Sequence, residues 1–175
     1  MVQEILKLGN PQLYEVSIPV TTEEQPKVRK WVSDLHDTLI EYRKKHGAGR
    51  AIAAPQIGVK KRLIYMYIDS PYVFINPILS FPDEEKYTLL DDCMSFPGLM
   101  VKVSRYKRTT IKYQDTNFLM REEHYEGDLS ELLQHEYDHL DGILATMRAV
   151  DSKSLIMEQM KRNFKKSYDG GESNG

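Results

Sequence analysis

The chain has 175 residues, and its formal net charge at neutral pH is −2. Its length suits one hydrophobic core, and its charge balance argues against a general nucleic-acid-binding protein. No apolar run approaches the roughly 20 residues of a membrane helix, and the first residues lack the pattern of a secretory signal. We therefore expect a cytoplasmic protein with a single domain over residues 1–168 and a disordered polar tail at 169–175.

The first long helix is predicted from Lys27 to His46. Val28, Leu35 and Leu39 belong to a set of apolar residues that recur every three or four positions, as expected for one buried helix face. Gly47 follows as a stop signal. The helix is expected to lie against a sheet.

The segment from Gly47 to Gly58 is dense in small residues. Such a composition indicates a tight loop, or a place where a ligand approaches the main chain closely. It lacks the Lys and Ser/Thr of a phosphate-binding loop. We favour the tight loop on composition alone.

Aromatic and β-branched residues predict strands in the middle of the chain. The strands are expected at Leu63–Ile68, Tyr72–Ile75, Thr88–Leu90, Met100–Val103, Thr109–Gln114 and Leu119–Tyr125. The basic run Lys102–Arg108 is interpreted as a solvated strand edge. Helical spacing returns at Ser130–Asp141 and again at about Ser152–Phe164. The prediction is an α+β fold, with mixed or antiparallel sheets around a central helix and further helices near both ends.

The central helix carries the motif His-Glu-x-x-His. His135 and His139 are four residues apart and share one helix face, so both imidazoles can bind one metal ion. Glu136 can then face a water molecule on that metal. Asp138 and Asp141 flank these ligands and are interpreted as solvated or capping carboxylates.

A catalytic zinc-type site usually takes three protein ligands and leaves a further position to water. Cys93 is the only cysteine, and it stands where an apolar segment gives way to a Pro-Gly turn. A thiolate there would complete a Cys-His-His set suited to zinc or iron. The alternatives are a nucleophilic thiol with a histidine base and an inert buried cysteine.

Three separated motifs resemble those of the peptide deformylase family. The stretch Ala53–Gly58 is similar to the core of the first motif, Cys93 with Ser95 to the second, and Gln134–Gly142 to the third. The similarity extends over roughly residues 5–150. It implies a metal-dependent hydrolase that removes the formyl group from the N-terminal methionine of newly made polypeptides.

The resemblance also implies the metal site. Cys93, His135 and His139 would hold one divalent ion per chain, iron(II) physiologically, with zinc, nickel or cobalt able to replace it. The expected partners are N-formyl-methionyl nascent peptides, and the ribosome through the basic segment Lys161–Lys166. No membrane and no specific nucleic acid are expected as partners.

The resemblance assigns further roles around the metal. Glu136 would act as general base and then as general acid, while the side-chain amide of Gln56 and the backbone N–H of Met94 would stabilise the tetrahedral intermediate. The methionine pocket would be apolar. The expected substrate-binding residues are Gly49, Ala51, Ile52, Leu89 and Leu132.

Four positions depart from the family pattern. Ala51 replaces a glycine whose backbone lies beside the bound peptide, and Asp91 and Asp92 stand where the family has Glu-Gly. Asp92 would be strained if its φ were positive. Met100 stands where the family often has an arginine. These changes concern the substrate walls rather than the reacting groups.

Other functions are consistent with parts of the pattern. The first is a related hydrolase of another N-formyl or N-acyl substrate, and the second is a non-catalytic metal-binding relative. A zincin-type protease would share the helix motif but would take its third ligand downstream of His139, where no His or Cys remains.

Overall fold

The computed structural model describes residues 1–160. It contains two α-helices, α1 (Gln25–His46) and α2 (Asp128–Leu140). The eight strands are β1 (Ala51–Ala53), β2 (Leu63–Tyr67), β3 (Pro71–Ser80), β4 (Lys86–Asp92), β5 (Leu99–Tyr106), β6 (Arg108–Gln114), β7 (Met120–Glu126) and β8 (Leu155–Met157). The predicted α+β class is confirmed. The predicted single domain extends past the described residues and stays a prediction.

Helix α1 confirms the first predicted helix. Its buried face includes Val28, Leu35 and Leu39, which follow the spacing read from the sequence. The helix ends at Gly47, whose φ of 67° is in the left-handed region and whose N–H donates to the carbonyl of Arg43. Glycine suits this position because it has no Cβ to oppose a positive φ.

The larger sheet has five antiparallel strands in the order β1-β2-β3-β6-β7. Strand β2 is buried on both faces: Leu63 and Tyr65 pack in the core cluster that includes α1, whereas Ile64 and Met66 pack in the cluster that includes α2. This sandwich explains why the sequence of β2 is apolar throughout instead of alternating. The predicted β2–β3 hairpin is confirmed.

The segment Ala51–Ala53, which we interpreted as part of a tight loop, is instead the short edge strand β1. It pairs with β2 through Ala51↔Met66 and Ala53↔Ile64. Three small residues carry almost no strand signal of their own, so the pairing partner determines their conformation. A short 3₁₀ turn, Ala54–Ile57, follows directly.

The smaller sheet has the strand order β4-β5-β8. One of its strands corrects a second prediction. The helix predicted from about Ser152 is wrong for residues 155–157, which form strand β8 against β5, with Leu99 opposite Met157. Three consecutive apolar residues fit either structure, and the open edge of β5 favours a strand. Residues 158–160 form a short 3₁₀ turn instead of an α-helix. Residues 161–164 of that prediction and the predicted tail lie outside the described residues.

Candidate metal centre

Three buried side chains meet between the two sheets. The ligand atoms of Cys93, His135 and His139 all lie within 4.8 Å of one another. Cys93 directly follows β4, whereas the two histidines lie one turn apart on α2. Among residues 1–160, this is the one group of three or more His, Cys, Asp or Glu side chains with metal-binding proximity. One thiolate and two imidazoles form a donor set suited to zinc or iron.

Asp91 fixes the orientation of one imidazole. The Nδ1 of His135 lies 2.8 Å from the Oδ1 of Asp91, which leaves Nε2 as the ring nitrogen for a metal. A carboxylate behind a ligand imidazole sets its tautomer and increases its basicity. The shorter reach of Asp, compared with the Glu of the family pattern, is therefore sufficient for this contact.

The second imidazole faces the thiol directly. The Nε2 of His139 lies 3.4 Å from the Sγ of Cys93. The Nδ1 of His139 is buried and has no hydrogen-bond partner among the described residues. The two rings, with centroids 5.0 Å apart, are nearly perpendicular. This arrangement directs two imidazole nitrogens and one sulfur toward a common point.

Gln56 approaches the thiol from the 3₁₀ turn. Its Oε1 accepts from the N–H of Ala53 at 2.9 Å, while its Nε2 donates to the Oγ of Ser95 at 3.2 Å and lies 3.6 Å from the Sγ of Cys93. Because these contacts hold both ends of the amide, the NH₂ group is fixed beside the cluster. The backbone N–H of Ser95 also lies 3.4 Å from the sulfur.

Glu136 is the acidic group beside the cluster. It is buried, and its Oε2 has no hydrogen-bond partner among the described residues. Burial raises the pKa of this carboxyl to about 7. An unpaired buried carboxylate oxygen is costly, and a water molecule on a metal at the three-ligand cluster would give it a donor. The residues present therefore fit a metal with one open position.

The pKa values of the two histidines shift in opposite directions. Burial disfavours the charged form of His135, but the negative groups of Asp91 and Cys93 outweigh burial and raise the pKa of the imidazole well above its usual range. Burial and then the nearby His135 lower the pKa of His139. For Asp91, burial is the largest effect and raises the pKa, yet the combined attraction of His135 and Arg105 lowers it to about 2. Asp91 is thus ionised at neutral pH.

Arg105 connects the ligand-orienting carboxylate to a second carboxylate. Its guanidinium lies 3.0 Å from Asp91 and 2.6 Å from Asp138, and all three side chains are buried. Asp138 also pairs with Arg148 at 2.9 Å. The interpretation of Asp138 as a solvated or capping carboxylate is therefore wrong. Asp141, in contrast, follows the last residue of α2 and is partly exposed.

The interpretation of Lys102–Arg108 as a solvated strand edge is also wrong for Arg105. Val101, Val103 and Arg105 are buried at every second position of β5. This period of two was present in the sequence and would have placed Arg105 on the inner face. Arg105 was interpreted as solvated because its side chain is positively charged.

A cavity of about 320 Å³ opens beside the cluster. Its lining includes the expected residues Gly49, Ala51, Gln56, Cys93, Met94, Leu132, His135 and Glu136, together with Tyr42, Arg50, Glu131, Asp91 and Asp92. Ile52 and Leu89 are absent from the lining. Ile52 is fully buried in the core beside α1, and Leu89 packs with the cluster around Cys93.

Two of the four departures from the family pattern, Asp92 and Met100, lie opposite each other in the β4–β5 pair. Asp92 is the last residue of β4, is exposed, and does not have a positive φ, so the expected strain is absent. Met100 is buried opposite Asp92 in the β4–β5 pair. The backbone carbonyl of Met94 accepts from Lys7 at 2.9 Å. The role of its N–H stays a prediction.

Comparison with known proteins gives consistent matches. Residues 2–155 match the family model described as polypeptide deformylase. The peptide deformylase of Thermotoga maritima is 33% identical over 152 residues, which are 86% of this chain and 89% of that protein. A protein of Brucella melitensis described as peptide deformylase-like is 35% identical over 168 residues, which are 94% of this chain and 97% of that protein.

Solved structures agree with the sequence matches. The crystal structure of the Thermotoga maritima enzyme has a TM-score of 0.79 and 32% identity and covers 86% of this chain and 99% of its own. A class I type b peptide deformylase from Acinetobacter baumannii, with Met-Ala-Ser bound, has a TM-score of 0.78 and 27% identity. It covers 85% of this chain and 98% of its own.

Proposed function

The chain belongs to the peptide deformylase family, and from this premise we propose that it hydrolyses the N-formyl group of peptides, with N-formyl-methionyl nascent chains as the first candidate substrate. The observation that carries this proposal is the buried Cys93, His135 and His139 cluster with the unpartnered carboxylate oxygen of Glu136 beside it. A metal site with a purely structural role has no need for such a carboxylate.

The residues divide the proposed reaction between them. When bound, a divalent metal ion would polarise a water molecule and lower its pKa. Glu136 would take a proton at its free Oε2 and return it to the amine that leaves. The fixed NH₂ group of Gln56 and the backbone N–H of Met94 would donate to the oxygen that gains charge.

The metal ligands would be Cys93, His135 and His139. Iron(II) is the proposed physiological ion, and zinc, nickel and cobalt are proposed substitutes because all of them accept a thiolate and imidazoles. Cys93 is buried, and its sulfur receives contacts from Gln56 and Ser95. Thiolate ligands are prone to oxidation, so the iron form calls for anaerobic handling.

The decisive experiment is formate release from formyl-Met-Ala-Ser by protein loaded in turn with iron, nickel and zinc without oxygen. Glu136→Gln should lose at least about a hundredfold in kcat while retaining one metal per chain. Cys93→Ala should lose the metal, which a zincin-type site would keep. Glu122→Gln, on exposed β7, is the matched control for a Glu-to-Gln change and should behave as wild type. Full turnover by the Glu136→Gln variant would contradict the proposed mechanism.

Cytoplasmic location and contact with ribosomes are further parts of the proposal. No helix among residues 1–160 is both long and apolar enough to cross a membrane. The basic segment Lys161–Lys166, which was expected to contact the ribosome, lies outside the described residues. A second candidate function, hydrolysis of a different N-formyl substrate, is favoured by the polar lining of the cavity.

A further inference from the structure

An ion pair forms part of the cavity wall. The Nη2 of Arg50 lies 2.6 Å from the Oε1 of Glu131, across 81 residues of sequence. The side chain of Glu131 is 10% exposed and that of Arg50 is 43% exposed, and both residues line the cavity. The pair thus joins the segment before β1 to helix α2 at the edge of the metal cluster.

The position of the pair follows from helix geometry. Glu131 precedes His135 by four residues and Leu132 precedes Glu136 by four, so both lie one turn before the metal-site residues on the same helix face. Gly49, Arg50 and Ala51 line the cavity as well. The Arg50–Glu131 pair therefore lines the same cavity as Cys93, His135 and Glu136.

The substrate's first side chain must lie in this same cavity. Only three bonds separate a formyl carbon from the Cβ of the first residue, so these two atoms are at most about 4 Å apart at standard bond lengths. A formyl group that reaches the cluster of Cys93, His135 and His139 therefore brings the first side chain within reach of the cavity walls. The cavity departs from the expected apolar methionine pocket in one wall, where the Arg50–Glu131 ion pair lies in the same lining as the apolar Leu132 and Met94.

The pair keeps hydrogen-bonding capacity for a ligand. Arg50 donates one N–H to Glu131 and another to the carbonyl of Asp128 at 3.5 Å. Further N–H groups of the guanidinium remain for a ligand. The hydrogen bond from Arg50 reaches the Oε1 of Glu131, which leaves Oε2 as the second acceptor oxygen of this carboxylate. A side-chain amide offers both a donor for this oxygen and an acceptor for the guanidinium.

An apolar side chain offers neither group. Packing a thioether against the pair would remove water from two charged groups and give them no replacement hydrogen bond. Glutamine and methionine have similar lengths, so the cavity would distinguish them by hydrogen bonding rather than by size. The paired charges of Arg50 and Glu131 also cancel, which suits a neutral polar side chain.

We propose that the Arg50–Glu131 pair selects the first side chain of the substrate and favours an N-formyl peptide that begins with an amide-bearing residue over one that begins with methionine. This inference rests on the proposed deformylation at the same site. It replaces methionine, the first candidate of the proposed function, with an amide-bearing residue as the preferred first residue of the substrate.

The test compares formyl-Gln-Ala-Ser with formyl-Met-Ala-Ser on nickel-loaded protein. The ratio of kcat/KM for the glutamine peptide to that for the methionine peptide should exceed one in wild type. It should fall by about 10–100-fold in the Arg50→Leu/Glu131→Leu double variant. The Arg50→Gln/Glu131→Gln variant, which keeps a polar wall without charges, should stay within about threefold of wild type.

Two controls isolate the role of the pair. Lys112→Leu/Glu122→Leu removes an exposed cross-strand ion pair from the β6–β7 hairpin and should leave the ratio unchanged. Glu131→Leu alone replaces the double variant if the latter fails to fold. A wild-type ratio below one, or a ratio unmoved by the leucine substitutions, overturns the inference.

A binding measurement separates this inference from the proposed function. Calorimetry with the tripeptides Gln-Ala-Ser and Met-Ala-Ser on the same proteins requires no turnover. If neither formyl peptide releases formate, the deformylase proposal fails, and the binding ratio still decides the role of Arg50 and Glu131. Tighter binding of Gln-Ala-Ser that reverses in the leucine variant supports the pair as the selective element, and tighter binding of Met-Ala-Ser by wild type overturns it.

Discussion

Replacing Arg105 by methionine should destabilise the protein by about 3 kcal/mol. Arg105 is 4% exposed and compensates two buried carboxylates, those of Asp91 and Asp138. Removing one partner of a buried ion pair typically costs about 3–5 kcal/mol because it leaves charge without compensation. Asp91 keeps His135 and Asp138 keeps Arg148, so the lower end of that range applies.

Arg108 provides a matched control near the same position in the chain. It pairs with three carboxylates, those of Asp83, Glu85 and Glu126, but all four side chains are at least 36% exposed. Water screens such pairs, so Arg108→Met should change the free energy of unfolding by less than the experimental error. Burial, rather than the number of ion pairs, separates the two variants.

The assay is urea unfolding of metal-free protein, followed by the fluorescence of Trp31, the single tryptophan, which packs against the core that contains α1. As a second measurement, Arg105→Met should weaken zinc binding by about 10–100-fold, because Asp91 would hold His135 less firmly. Equal unfolding free energies for the Arg105 and Arg108 variants would refute the reasoning.

Two further predictions concern single positions. Gly142→Ala would place a Cβ 2.5 Å from the carbonyl oxygen of Tyr14 at a φ of 70°, so it should destabilise by roughly 3 kcal/mol in urea unfolding, against about 1 kcal/mol for Gly47→Ala, where the φ is 67° and nothing lies within 4 Å. Asp34, whose pKa is lowered chiefly by its hydrogen bond with Lys30, contributes stability above its unfolded-state pKa that is lost as pH falls through the lower folded value. Asp34→Asn should therefore lower the thermal midpoint at pH 7, and the difference should vanish near pH 2; a constant difference would contradict this assignment.

Local sequence patterns predicted the elements whose conformation depends least on contacts with residues distant in sequence. The repeat in α1 and the glycine that ends it are local signals, and so is the spacing of His135 and His139. Strand β8 was missed because its conformation depends on pairing with β5, which is distant in sequence. Periodicity within three residues cannot supply that information.

The burial of charged residues also depends on contacts that the local sequence does not show. Asp138 looks solvated in the sequence because its partners, Arg105 and Arg148, reach it only through tertiary contacts. The polar cavity wall likewise depends on the approach of Arg50 to Glu131. Residue type alone cannot tell a buried charge from an exposed one, since the difference lies in whether the fold delivers a partner.

The metal cluster also has a mechanical consequence. Cys93 follows a strand of the smaller sheet, whereas His135 lies on the helix that packs against the larger sheet. A bound ion would therefore link the two sheets and close a chain loop of 43 residues, from position 93 through position 135. A covalent cross-link over such a loop would restrict the unfolded chain by about 4 kcal/mol. Removing the ion with a chelator should consequently remove both the reactive centre and a link between the two sheets.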